Sequence, residues 1–211
     1  MKTVIIANGR INDYAFLKSA ISADDFVICC DGGARHAFFS DIEPNVLIGD
    51  FDSLASETLD YYERKGTKII RHPQRKNKTD LELAIDYACE LETEDILCLC
   101  CLGGRIDHTM MNMQLMKKPA ALKKNICMAD ELNRIYLTGC GVEFDLQKGK
   151  TVSLIPLSDT VRGITTSGLE YPLNDAELKT GTSLGISNVA TGETVSISIA
   201  DGLLYIIFSK E

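Results

Sequence analysis

The feature that most restricts the fold of this sequence is an alternation of short apolar runs with helical patterns over residues 1–130. Runs that are apolar throughout are typical of strands buried on both faces of a parallel sheet, which are joined by crossover helices. The pattern therefore predicts an α/β fold with a doubly wound parallel sheet. The predicted strands are 3–7, 26–30, 45–49, 67–70, 95–104 and 125–130, and the predicted helices are 12–22, a short one from 33, 53–66, 79–92 and 105–118.

The sequence pattern changes after residue 130, where short β-rich runs are separated by glycines. This pattern is typical of an antiparallel sandwich or barrel. One segment, NDAELK at 174–179, is the only candidate there for a helical turn. We therefore expect two domains, 1–130 and 131–211.

Two of the predicted helices carry recognisable start and stop residues. Ser53 is a candidate N-cap for helix 53–66, and Gly66 follows its end. Thr79 is a candidate N-cap for helix 79–92, with Glu82 at the position of a capping box.

Charge and cysteine content restrict the class of protein. The formal net charge is −8. This charge argues against a general nucleic-acid or anionic-membrane binder, because such proteins carry basic surfaces. Most of the eight cysteines lie in apolar runs, and Cys98-Leu-Cys100-Cys101 lacks the spacing of a zinc knuckle. Buried free thiols are the expectation. The apolar run in the first residues is too short for a signal peptide, and a cytoplasmic location is expected.

Acidic residues and glycines follow four of the predicted strands. In parallel sheets ligands bind at the carboxyl ends of the strands, so these groups should meet at one edge. Glycine turns and helix N-termini there suit phosphate groups. The four clusters are Asp31-Gly32-Gly33-Ala34, Gly49-Asp50-Phe51-Asp52-Ser53, Lys78-Thr79-Asp80 and Gly103-Gly104-Arg105-Ile106-Asp107-His108.

The pair Asp50 and Asp52 predicts a cation site. If strand geometry continues past residue 49, both carboxylates face one spot and Phe51 faces away. Such oxygen ligands suit Mg²⁺ bridging to substrate phosphates, which Lys78 and Arg105 would neutralise further. No GxxxxGK[ST] or GxGxxG motif is present, which argues against a P-loop kinase or a standard dinucleotide binder.

Each cluster also has a purely structural interpretation. Asp52-Ser53 and Thr79-Asp80 are ordinary helix starts, and the glycine pairs are ordinary turns. His108 is by default a helix-surface histidine. The joint occurrence of acids or glycines at four junctions of one edge favours the functional interpretation.

Five segments in order resemble the thiamine pyrophosphokinase (thiamine diphosphokinase) family. They are DGGARHAFFSDIEPNVLIGDFDSL, NKTDLELAIDYA, LGGRIDHTMMNMQLM, VRGITTSGLEYPLND and GTSLGISN. The resemblance spans roughly residues 1–208 and implies an N-terminal nucleotide-binding α/β domain, a C-terminal β-sandwich that binds thiamine, and a homodimer. The implied reaction is Mg²⁺-dependent transfer of the diphosphoryl group of ATP to the thiamine hydroxyl, which releases AMP.

The resemblance also implies roles for single residues. Asp50, Asp52 and Asp80 match the metal-binding and catalytic acids, and Asp52 or Asp80 is the candidate general base. The matching nucleotide-binding positions are Asp31, Gly32, Gly33, Ser53, Lys78, Thr79, Gly103, Gly104, Arg105, Asp107 and His108. Asp107 either contacts the nucleotide or orients Arg105.

The implied thiamine site involves the β domain at the dimer interface. Ser187 and Asn188 match that segment, and Gln74 is expected to reach the thiamine of the partner subunit. The chain has no tryptophan, so any aromatic platform for thiamine must be Phe or Tyr.

Two further functions are consistent with parts of the pattern. One is a phosphatase or phosphotransferase with an Asp-x-Asp nucleophile, although that fold usually carries the motif after its first strand and Asp50 follows the third. The other is a non-catalytic nucleotide or thiamine sensor, which would be favoured if site acids were missing.

Overall fold

The computed structural model describes residues 1–210, which form two compact units, residues 1–131 and residues 132–210. Each unit is described in turn.

The first unit contains a parallel sheet of six strands in the order β6-β5-β1-β2-β3-β4. Every neighbouring pair within it is parallel. The apolar runs are buried as predicted, and the doubly wound fold is confirmed. The strands are β1 (Thr3–Ile6), β2 (Phe26–Cys30), β3 (Val46–Gly49), β4 (Lys68–Arg71), β5 (Asp95–Leu99) and β6 (Asn125–Ala129).

Six helices connect these strands, and one predicted helix is divided. Pro119 has no N–H to donate to the carbonyl of Leu115, so the 105–118 segment ends there and a second short helix follows. The helices are α1 (Tyr14–Ser19), α2 (Gly33–Phe39), α3 (Ser56–Arg64), α4 (Asp80–Glu90), α5 (Ile106–Leu115) and α6 (Lys117–Ala121).

The predicted helix caps have mixed outcomes. Thr79 caps α4, since its side chain accepts from the Glu82 N–H. Gly66 follows α3 with a φ of +82°. The prediction that Ser53 caps α3 is wrong, because that helix begins at Ser56 after Ala55. The Ser53 hydroxyl instead donates to the carboxylate of Asp31.

The strand order creates a switch point beside β1. The chain builds outward from β1 through β2 and β3 to β4, then returns to the other side of β1 as β5. The connections after β1 and β5 therefore leave in opposite directions and open a crevice at the carboxyl ends, where ligands bind in sheets of this type.

The second unit consists of two antiparallel sheets, ordered β12-β9-β14-β7 and β11-β10-β13-β8. Side chains from both sheets form one apolar core, among them Val152 and Leu154 from one sheet and Val161 and Ile197 from the other. This is the predicted sandwich-like arrangement. The strands are β7 (Asn133–Thr138), β8 (Val142–Asp145), β9 (Thr151–Pro156), β10 (Thr160–Ser167), β11 (Ala176–Lys179), β12 (Asn188–Val189), β13 (Thr194–Ser198) and β14 (Leu204–Ser209).

The candidate helical turn at 174–179 is a strand. Leu178 pairs with Val161 of β10 and is fully buried, while its neighbours Glu177 and Lys179 are exposed. Alternating burial along β11 outweighs the helix propensity of the segment, as expected when a tertiary partner is available.

The cysteine prediction is confirmed for the described residues. Within residues 1–210 none of the eight cysteines forms a disulfide, and six of them are buried; Cys140 is exposed and Cys89 is partly buried. Burial raises the pKa of the Cys100 thiol to about 12, so this thiol is poorly reactive. Within residues 1–210, no helix is long and apolar enough to cross a membrane.

Candidate active site

A cavity of about 590 Å³ opens at the carboxyl edge of the parallel sheet. Its wall comes from the segments that follow β1, β2, β3, β4 and β5 and from the first turns of α4 and α5. Ten of the predicted site residues line it: Asp31, Asp50, Gln74, Lys78, Thr79, Asp80, Gly103, Gly104, Arg105 and His108. The edge predicted from the sequence is therefore the edge that carries the cavity.

Three carboxylates converge beside this cavity. Asp31, Asp50 and Asp52 each contribute one oxygen, and these oxygens lie within 4.8 Å of one another. Asp31 is buried, and its Oδ1 has no hydrogen-bond partner among the described residues. A buried carboxylate oxygen without a donor is costly unless a cation completes its environment.

The chain brings Asp50 and Asp52 together by a turn instead of by extended strand geometry. Strand β3 ends at Gly49, and Phe51 adopts a left-handed conformation with a φ of +61°. The Asp52 N–H then donates to Asp50 Oδ1 at 3.2 Å. The predicted convergence is correct, but the assumption of continued alternation is wrong. Phe51 is buried beneath the guanidinium of Arg71.

A short hydrogen-bond chain orients the third carboxylate. The Asn8 amide donates to Ser53 Oγ at 3.2 Å, and the Ser53 hydroxyl donates to Asp31 Oδ2. Because Ser53 occupies Oδ2, the unpartnered Oδ1 is the oxygen left for a ligand. These hydrogen bonds link the segments that follow β1, β3 and β2.

Lys76 lies between two of the acids. Its Nζ is 3.0 Å from Asp50 Oδ2 and 3.0 Å from Asp80 Oδ1, and its side chain is only 13% exposed. The contact with Asp80 is an ion pair without the alignment of a hydrogen bond, whereas Asp50 accepts a hydrogen bond. Asp80 therefore shares a cation with Asp50 and lies beside the three-carboxylate cluster.

The acids differ in their affinity for protons. The hydrogen bond from Lys76 lowers the pKa of Asp50 below its ordinary value. The neighbouring charge of Asp50 raises the pKa of Asp52, and burial raises the pKa of Asp80. Mutual repulsion of this kind is relieved by a bound cation. Three oxygen donors, one of them buried and unpartnered, fit a hard divalent cation.

The glycines of the site have two different physical roles. A Cβ on Gly33 would clash with the Ile6 carbonyl, and one on Gly32 would clash with the Asn8 side chain. Gly33 is therefore required for close packing of α2 against β1, whereas a Cβ on Gly32 would require the Asn8 side chain to shift. Gly103 and Gly104 have φ values of +76° and +70° with open space around them, so backbone conformation alone requires glycine there.

The two predicted phosphate-neutralising cations are engaged with acids. The Lys78 ammonium pairs with Asp86 of α4. Arg105 forms a two-pronged pair with Asp107, including Nε to Oδ1 at 3.1 Å, and both side chains are exposed. Asp107 thus contacts Arg105 directly, and its role toward a nucleotide stays a prediction.

Gln74 and His108 both face the cavity. The Gln74 amide donates to Asp52 Oδ2 at 3.1 Å, so it contacts the acid cluster directly. His108 is exposed on the first turn of α5.

The predicted thiamine residues of the second unit differ from each other in accessibility. Ser187 is exposed, with a φ of +58° and its N–H donating to Ser153 Oγ. Asn188 is buried, and its amide bonds the N–H and carbonyl of Tyr171 at 3.1 and 2.7 Å. The Asn188 side chain is therefore used internally in this unit.

Sequence reasoning missed ten residues of the cavity wall, among them polar or glycine residues in two segments. Asn8, Gly9 and Arg10 follow β1, and Lys76 lies in the loop before α4. The first three could have been found, because the end of β1 lies at the same edge as the other strand ends. Lys76 carried no such signal among the several basic residues of 75–78.

Two family models match the chain in the order expected from the resemblance. "Thiamin pyrophosphokinase, catalytic domain" matches residues 17–128, and "Thiamin pyrophosphokinase, vitamin B1 binding domain" matches residues 141–204. Thiamine pyrophosphokinase of Bacillus subtilis is 31% identical over 215 residues, which is 100% of both chains. The chain belongs to the thiamine pyrophosphokinase family.

Solved structures of thiamine pyrophosphokinases share the fold. The crystal structure from Bacillus subtilis superposes with a TM-score of 0.90 at 26% identity, covering 100% of both chains. The structure from Geobacillus thermodenitrificans gives 0.87 at 28% identity, covering 100% of this chain and 98% of the other. Membership in this enzyme family favours diphosphoryl transfer over the Asp-x-Asp phosphotransferase and the sensor.

Proposed function

We propose that this chain transfers the diphosphoryl group of ATP to the hydroxyl of thiamine, giving thiamine diphosphate and AMP. The observation that carries the proposal is the cluster of Asp31, Asp50 and Asp52 at the ligand-binding edge of a chain that matches both family models. An acid cluster of this kind suits a metal–nucleotide complex, and the second family model is named for the vitamin that would be the acceptor.

The bond changes follow from the products. The oxygen of the thiamine hydroxyl forms a bond to the β-phosphorus, and the bond from that phosphorus to the α–β bridging oxygen breaks. AMP leaves with the bridging oxygen. The hydroxyl proton passes to a base, for which Asp52 and Asp80 are the candidates. Transfers of this type depend chiefly on positioning and charge neutralisation.

Mg²⁺ is the proposed cofactor. Asp50 and Asp52 would hold it, with the free oxygen of Asp31 as the third protein ligand and Asp80 close by. When bound, such an ion neutralises phosphate charge and makes the β-phosphorus more electrophilic. Asn8 and Ser53 orient Asp31 for this role, and Gln74 orients Asp52.

The remaining assignments extend the family resemblance. The nucleotide would lie along Asp31-Gly32-Gly33, Ser53, Lys78-Thr79 and the Gly103–His108 turn, where Arg105 is the exposed cation. Thiamine would contact Gln74 of one subunit and the Ser187–Asn188 segment in a homodimer. A cytoplasmic location is also part of this proposal.

Product analysis tests the proposal. The purified chain is incubated with thiamine, ATP and Mg²⁺, with and without EDTA, and the products are separated. Thiamine diphosphate and AMP in equal amounts, abolished by EDTA, are the expected result. ADP or inorganic phosphate in their place would contradict attack at the β-phosphorus, and absence of turnover would contradict the enzyme assignment.

A further inference from the structure

Lys76 is the cation that contacts the site acids in the described part of the chain. Lys78 pairs with Asp86 and Arg105 pairs with Asp107, so neither is bonded to the cluster. Lys76 contacts Asp50 and Asp80 at 3.0 Å each and is largely buried in the cavity wall. Its ammonium therefore lies where the charge of Asp50 would otherwise attract a metal ion.

The acids around Lys76 outnumber it. Asp31, Asp50 and Asp52 have oxygens within 4.8 Å of one another, and Asp80 adds a fourth carboxylate through the shared lysine. Like charges this close repel one another. A single ammonium relieves only part of that repulsion, which leaves the site attractive to a divalent cation.

We propose that Lys76 is a resident counter-ion that competes with the divalent metal for Asp50 in the free chain. When the metal takes Asp50, the Lys76 ammonium is released to the cavity, where it pairs with substrate phosphate. Lysine suits such an exchange because its charge is compact and its four-carbon stem is flexible. The inference rests on the proposed function for the phosphate but not for the competition with metal.

The competition predicts opposite effects on two kinds of binding. Removing Lys76 should strengthen binding of the metal alone and weaken binding of the metal–nucleotide complex. A residue that merely holds the site together would weaken both when removed. The two readouts therefore separate an exchanging counter-ion from a structural lysine.

The first measurement is a titration of the full chain with Mn²⁺ alone, with free Mn²⁺ followed by electron paramagnetic resonance. Lys76→Met should bind Mn²⁺ roughly tenfold more tightly than the native chain, as expected for loss of a unit charge a few ångströms away. Lys65→Met is the matched control, since that exposed lysine pairs with Glu43 and makes the same change in net charge. It should leave Mn²⁺ affinity unchanged.

Stability must be measured with the same variants. Lys76→Met should melt at a lower temperature without metal, and Mn²⁺ should raise its melting temperature more than that of the native chain. If Lys76→Met does not fold without metal, Lys76→Gln retains a neutral donor to the acids and is used in its place. Unchanged or weaker Mn²⁺ binding in the folded variant would overturn the proposal.

Steady-state kinetics complete the test. The KM for the Mg²⁺–ATP complex should rise about tenfold in Lys76→Met, in line with loss of one charge-assisted contact to phosphate. Lys76→Arg keeps the positive charge, so its Mn²⁺ affinity and its KM for the Mg²⁺–ATP complex should both lie close to those of the native chain. Tighter Mn²⁺ binding with an unchanged KM would overturn the phosphate step. Failure of the native chain to make thiamine diphosphate would refute the proposed function but leave the Mn²⁺ result standing.

Discussion

Asp31 in the parallel-sheet unit and Asn188 in the β unit are buried to nearly the same extent, with 8% and 7% of their surfaces exposed. Their polar atoms are treated differently. Asn188 bonds the backbone of Tyr171 and the N–H of Val189. Asp31 receives one hydrogen bond from Ser53 and keeps an unpartnered oxygen. A satisfied polar group stabilises its own unit, whereas an unsatisfied one in a cavity wall implies a ligand.

The largest expected effect comes from the acid cluster around the unpartnered Asp31 oxygen. Asp52→Asn should lower kcat by about 10²- to 10³-fold, because a charge that holds the metal against the developing phosphate charge is lost. The free energy of unfolding should stay the same or rise slightly, since Asp52 is exposed and is repelled by Asp50.

Turnover and chemical denaturation check this prediction together. Asp24→Asn, an exposed aspartate elsewhere in the same unit, is the control and should alter neither quantity. Retained turnover in Asp52→Asn would remove the carboxylate from the metal site.

For the hydrogen-bonded residue Asn188, substitution should instead lower the stability of the chain. Asn188→Ala should lower the free energy of unfolding by about 1–3 kcal/mol, because the Tyr171 N–H and carbonyl lose their partners. Ser187→Ala should leave stability nearly unchanged and raise the KM for thiamine more than that for ATP. Denaturation curves and both KM values decide the matter. A loss of stability in Ser187→Ala equal to that in Asn188→Ala would break the distinction between the two residues.

A smaller effect is expected for the residue that orients Asp31. Ser53→Ala removes the hydrogen bond to Oδ2, and outer-shell changes of this kind cost about tenfold in metal affinity. Mn²⁺ titration measures the change, with Ser56→Ala at the start of α3 as control. An unchanged Mn²⁺ affinity would show that the hydrogen bond from Ser53 is not required to orient the Asp31 carboxylate.

The smallest effect concerns a satisfied group close to the cavity. His36 is buried, donates through Nε2 to the Gly9 carbonyl and accepts at Nδ1 from the Tyr14 hydroxyl. Burial, together with the charge of Arg35, lowers its pKa despite the bond to Gly9. The unfolded chain therefore binds the proton more readily, and stability should fall as the pH drops below about 6.5.

Denaturation at several pH values tests this expectation. His36→Gln should flatten the decline in stability between neutral and mildly acidic pH, because the titrating group is gone. His72→Gln replaces a histidine in the loop after β4 and serves as control. An equal decline in native and His36→Gln chains would contradict the assignment.

The amino-acid sequence by itself determined the parallel sheet, the β unit and the edge that carries the site. Hydrophobic periodicity and the residues at strand ends are local signals, and they place Asp31, Asp50 and Asp80 at one edge whatever the loops do. The same reasoning failed for the cap at Ser53 and the strand at 176–179. In both places a distant partner, Asp31 or strand β10, outweighed local propensity.

Only the tertiary structure decided how the polar groups at that edge are paired. The sequence pattern pointed to Lys78 and Arg105 as the cations of the site, yet of these two and Lys76 only Lys76 is bonded to Asp50. Nothing in the local pattern distinguishes the internally bonded Asn188 from the exposed Ser187 beside it. Which charge meets which depends on the paths of loops between strands that are distant in sequence, and those paths follow from packing of the whole unit.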